Sequence, residues 1–145
     1  MQKIINRQTL FVPLNFFETD ELQVSINIPF RVSDIVLKSV VIYDFKPEST
    51  SGTKGILMLR SPLVPYEIMH AYAIPNVGPS GLPQDVDNFA LLSNPDVAWK
   101  VDQASIRGDY NFRLTRFDGA NLAKDVDITN VEVQMVLTLE FTNIL

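Results

Sequence analysis

Apolar and polar side chains alternate almost without a break along residues 131–142. Val131, Val133, Met135, Leu137, Leu139 and Phe141 occupy one parity and Glu132, Gln134, Thr138, Glu140 and Thr142 the other, with Val136 as the single apolar residue in the polar row. Strand side chains point to opposite faces with a period of two, so this spacing predicts a strand of about twelve residues with one face on a core and the other on water or a partner. The same pattern recurs upstream. Leu10, Val12 and Leu14 alternate near the start, and Leu22, Val24, Ile26, Ile28 and Phe30 are spaced by Gln23, Ser25, Asn27 and Pro29. Proline cannot donate to a ladder, so Pro29 predicts that this strand ends at a sheet edge or a bulge. From Asp34 to Phe45 valine and isoleucine fill both parities, which predicts a strand buried from both sides, one side lying under a loop or a neighbouring subunit.

Shorter runs predict further strands at Ile56–Leu63, Tyr66–Ile74, Phe89–Leu92, Val97–Val101 and Tyr110–Phe117, the last with Tyr110, Phe112 and Leu114 on one face. Between them stand a polar loop over Lys46–Lys54, turns at Asn94-Pro95-Asp96 and Asp118-Gly119, and a long surface loop over Ile74–Asn88 with Pro75, Gly78, Pro79, Gly81 and Pro83. Nothing carries the period of a long helix. The expected architecture is one all-β domain over residues 1–145, an antiparallel β-sandwich or barrel of eight or nine strands. Strand order stays open, because a Greek-key path and an up-and-down path share one periodicity. Neither end carries a low-complexity tail, and both are expected to be tied into a sheet or clamped by a neighbour.

Composition narrows the chemistry. The chain has 145 residues and no cysteine, which excludes disulfides, thiolate metal sites and cysteine nucleophiles. Seventeen acidic against twelve basic residues give a net charge of −5, with no basic stripe to attract a phosphate backbone. Residues 1–10 lack the apolar core of a signal peptide and no run of apolar residues is long enough to span a membrane, so a soluble protein made in the cytoplasm is expected.

Candidate reactive groups are few. His70 is the only histidine, so any histidine-based triad would depend on it, and a structural role is the expectation. Asp85-Val86-Asp87 and Asp125-Val126-Asp127 place oxygen ligands at alternate positions but lack the glycine and distal glutamate of an EF-hand loop, so solvated acidic loops are expected rather than a metal site. Gly78-Pro79-Ser80-Gly81 has no following lysine to make it a phosphate loop. Arg107-Gly108-Asp109 is similar to the adhesion tripeptide read by integrins, but its composition before Tyr110 predicts an ordinary turn, and it stands as a candidate loop contact. Trp99 is the candidate ligand platform, since an exposed indole can stack on a sugar ring, with burial in the sandwich as the default. No catalytic residue, metal or cofactor is assigned.

The strand succession over Leu22–Phe30, Asp34–Phe45, Ile56–Leu63, Tyr110–Phe117 and Val131–Phe141 resembles that of the single jelly-roll structural proteins of virus particles. That resemblance implies two four-stranded antiparallel sheets packed face to face, with neighbouring copies touching along strands and loops. The chain departs from small capsid jelly rolls in having only Lys3 and Arg7 as early cations, where those proteins carry a basic genome-gathering arm. A penton, minor capsid or decoration protein of a virion is therefore the expectation: a homo-oligomer that docks onto other coat proteins, without direct nucleic-acid contact. Apolar surface left over from a single core needs another place to be buried, which nominates Val36, Val40, Val41 and Ile42 with the apolar end Ile144-Leu145 as contacts. The alternative is a carbohydrate- or receptor-binding sandwich that uses Trp99. An enzyme is not expected.

Overall fold

The computed structural model describes residues 3–17, 19, 21–46, 56–73, 91–116 and 132–144. These residues form nine strands: β1 (Ile4–Phe17), β2 (Glu21–Ile28), β3 (Val32–Lys46), β4 (Ile56–Arg60), β5 (Ile68–Ala73), β6 (Leu91–Ser93), β7 (Val97–Gln103), β8 (Ile106–Arg116) and β9 (Glu132–Ile144). Two antiparallel sheets pack as a sandwich. Sheet A runs β1-β9-β3, and the far edge of β3 is shared by β7 along Val32–Leu37 and β6 along Val40–Ile42. Sheet B runs β2-β8-β4-β5. All pairings are antiparallel.

The alternation drives the packing. Val12, Leu14 and Phe16 of β1, Leu137, Leu139 and Phe141 of β9, and Phe112 and Leu114 of β8 point inward and are fully buried in one apolar cluster. Each such side chain contributes on the order of 1.5–3 kcal/mol when taken out of water. Leu10, Leu22, Val24 and Tyr110 close the rim of that cluster.

β3 departs from the expected two-sided burial. Its pairing with β9 shifts register between Leu37 and Ser39 and between Ile42 and Asp44, and its pairing with β7 shifts between Val32 and Asp34. Each bulge inserts one residue and flips the parity that faces the core. Val32, Ile35, Leu37, Val40 and Ile42 therefore all point inward although their numbers mix odd and even. The apolar residues on both parities reflect a changing phase, and among the described side chains of β3 Val36 and Val41 are the apolar ones on the outer face, each half-buried.

Other boundaries move for local reasons. β2 ends at Ile28 with Pro29 just beyond it, and β2 is an edge strand of sheet B. β4 stops at Arg60, and the rest of that apolar run turns inward as a loop with Leu63 and Val64 buried. β5 begins at Ile68 because Pro65–Glu67 forms a single 3-10 turn. In that turn Glu67 N–H donates to Val64 O at 3.1 Å, and Tyr66 has φ 64°. β8 starts four residues before Tyr110, at Ile106. The expected loops over residues 47–54 and 74–88 and the Asp118-Gly119 turn lie outside the described residues.

Candidate interaction surface

The two outer faces of the sandwich are chemically unlike. On sheet B the outward row of β2 is Glu21, Gln23, Ser25 and Asn27, all exposed. Their register partners on β8 are Arg113, Asn111, Asp109 and Arg107, so the β2–β8 part of the face is polar. The Ser25 hydroxyl donates to the Asp109 carboxylate across it. Farther across the same face Met58 of β4 and Thr115 of β8 are buried, and Thr115 Oγ1 accepts from Arg60 Nε at 2.9 Å.

Sheet A presents an apolar band instead. Pro13 of β1 is the register partner of Val136 of β9, Val136 of Val41 of β3, and Val41 of Leu92 of β6. Four outward apolar residues thus line up across β1, β9, β3 and β6. Leu92 at one end is 65% exposed, and Phe11, two residues from Pro13 at the other end, is 68% exposed. Phe17 extends the β1 end of the band and is also exposed.

Several polar groups beside this band pair within the face. The Ser39 hydroxyl donates to Thr138 Oγ1 at 2.9 Å. Arg7 pairs with Glu140 at 3.6 Å, and Lys38 pairs with Asp96 at 3.0 Å. The hydrogen bond and charge of Asp96 push the Lys38 ammonium above its usual pKa. Two more ion pairs hold the edge strand β7 on β3: Lys100 with the buried Asp34 at 3.3 Å, and Arg31 with Asp102. Asp96, just before β7, and Asp102, near its end, both adopt positive φ.

The sequence candidates separate on this map. Val36 and Val41 lie on the outer face of sheet A, whereas Val40 and Ile42 are 1% and 0% exposed in the core and offer nothing to a partner. Ile144 is half-buried opposite Ile4, and its N–H donates to Ser33 Oγ at 2.8 Å, so this end of the chain is bound into sheet A. Leu145 lies outside the described residues, as do both Asp-Val-Asp repeats and Gly78-Pro79-Ser80-Gly81. Arg107-Gly108-Asp109 is exposed but is not a turn: it is the start of β8, laddered to Asn27, Ile26 and Ser25 of β2. Gly108 takes φ 124° there, a conformation that side-chain-bearing residues rarely adopt.

Trp99 stands opposite Ile35, half-buried, and packs on the core cluster with Val101. His70 is half-buried opposite Leu59, and desolvation pushes its pKa below the usual 6.5. Among the described residues no group of three or more His, Cys, Asp or Glu side chains could hold a metal ion, and no helix is long and apolar enough to cross a membrane.

Sequence reasoning missed Phe11, Pro13 and Leu92 as surface residues. The available signal was Val136, the one apolar residue in the polar row of β9. No family model matches this chain, and no curated protein matches it as a relative.

Proposed function

We propose that this chain is a non-enzymatic structural subunit of a virion or similar particle, a minor capsid, penton or decoration protein that works by self-association or by docking onto other coat subunits. The observation that carries the reading is the apolar band on the outer face of sheet A, since contiguous apolar surface on a soluble domain marks a site of protein contact. The strand order supports the finer assignment to a jelly roll. When β6 and β7 are counted as one interrupted strand along β3, the sheets become 1-8-3-6 and 2-7-4-5. Folding a long hairpin back on itself as two Greek keys produces this order, an architecture shared by viral capsid and lectin domains. The polar outer face of sheet B suits exposure on a particle, and the half-buried Trp99 weakens the alternative of a sugar-binding platform.

Light scattering on the purified protein across a concentration series tests the reading. A discrete closed oligomer is expected. A protein that stays monomeric at the highest attainable concentration would overturn the self-association arm and leave only docking onto other subunits.

A further inference from the structure

We propose that Arg60 and Arg113, in register on β4 and β8, form an anion site on the outer face of sheet B that takes a phosphoryl dianion. The two residues are direct partners across the β4–β8 ladder, which sets their Cβ atoms about 4.5–5.5 Å apart. Both are half-buried, and like charges placed opposite each other in a sheet destabilise it. Partial burial also leaves the pair less screened than two fully exposed arginines. The fold therefore carries a repulsion that a bound dianion would remove.

On and beside sheet A the cations are matched. Arg7 pairs with Glu140, Arg31 with Asp102, Lys38 with Asp96 and Lys100 with Asp34. Arg60 and Arg113 pair with no carboxylate among the described residues. Arg60 is held by neutral atoms instead: its Nε donates to Thr115 Oγ1 at 2.9 Å, and one Nη donates to Met58 Sδ, a weak acceptor, at 3.9 Å. Both of those partners are buried, so the guanidinium is fixed in place before any ligand arrives. Glu21, opposite Arg113 on β2, is exposed and forms no ion pair with it, and Asp109, farther along β8, is bonded to Ser25.

The donors select the ligand. Guanidinium forks bind phosphate oxygens through paired N–H···O bonds, and two forks match the charge of a phosphate or phosphomonoester near neutral pH. A phosphodiester carries a single charge, so a nucleic-acid backbone matches the pair less well. The free ion and a phosphomonoester share the group that the site reads, and the experiment separates them.

Calorimetric titration at constant ionic strength, with inorganic phosphate and phenyl phosphate as separate probes, tests the site on the wild type, Arg113→Gln, Arg60→Gln, Arg107→Gln and Glu21→Gln. A single saturable site is expected, weakened at least about tenfold in Arg113→Gln and in Arg60→Gln, each of which removes charge-assisted donors. Arg107→Gln, on the same face but away from the pair, should bind as the wild type does. Glu21→Gln should bind more tightly, because a negative charge beside the ligand is gone. The Arg113 side chain makes no hydrogen bond or ion pair among the described residues, so Arg113→Gln should stay folded, and in chloride buffer it should melt at or above the wild-type temperature. Tighter binding of phenyl phosphate assigns the site to a phosphomonoester, and tighter binding of inorganic phosphate assigns it to the free ion. An adventitious ion only, seen as no saturable binding of either probe or as equal binding by Arg113→Gln and Arg107→Gln, overturns the site and leaves the structural-subunit reading untouched.

Discussion

Sheets A and B obey one rule on the inside and opposite rules on the outside. Inward, β9 and β8 both alternate large apolar residues, and the two rows fuse into one core. Outward, β2 offers Glu21, Gln23, Ser25 and Asn27 to water, while the strands of sheet A align Pro13, Val136, Val41 and Leu92. The inward rows make the sandwich. The outward rows decide which of its faces shows apolar side chains to the outside.

The sharpest way to break this comparison uses two adjacent residues of β3. Ile42→Asp puts an unpaired carboxylate among the core side chains and is expected to abolish folding, seen as loss of the cooperative thermal transition. Val41→Asp, one residue away on the outer face, should keep that transition within about 1 kcal/mol and lose self-association, because surface substitutions away from packed sites cost little. If both variants unfold, the outer face is not the separate layer described here.

A smaller effect separates a strained glycine from a strained tyrosine. Gly108 holds φ 124° within the β2–β8 ladder, so Gly108→Ala should destabilise the protein by about 1–3 kcal/mol in denaturant melts, through backbone strain alone. Tyr66, at φ 64° and 93% exposed, follows Pro65 in the turn position where glycine is favoured. Tyr66→Gly removes that strain and almost no packing, so stability should hold or rise by up to about 1 kcal/mol. A clear loss would mean that the ring packs on something.

The smallest expected effect follows pH. Burial holds the His70 imidazole neutral in the folded protein at pH values where the unfolded chain, titrating near 6.5, already takes up a proton. Stability should therefore fall as the pH drops below 6.5 through the lower folded value. His70→Gln should flatten that slope in thermal melts, and an unchanged slope would assign it to other groups.

Much of the fold was legible in the sequence where alternation was uninterrupted. β1, β2 and β9 follow from their period alone. β3 was misjudged because bulges change its phase, and a bulge belongs to a pair of strands, so one strand's sequence does not announce it. Arg107-Gly108-Asp109 was misjudged because its composition suits a turn while its register partners Asn27, Ile26 and Ser25 hold it in a ladder. The band was legible only in its middle. Val136 stands out within its own strand, but Phe11 and Leu92 look like the scattered surface hydrophobics of any domain until register brings them into one row.

The pairing of β1 with β9 sets a schedule as well as a shape. Ile4 aligns with Ile144 and Phe17 with Glu132, so β1 meets its partner only after β2 to β8 have been made. Pairings so distant along the chain form slowly, and sheet A is completed only after translation has passed β9. Because the apolar row crosses β1, β9 and β3 together, a chain interrupted before β9 cannot present it. The row is thus a property of the closed sheet and of no single segment of it.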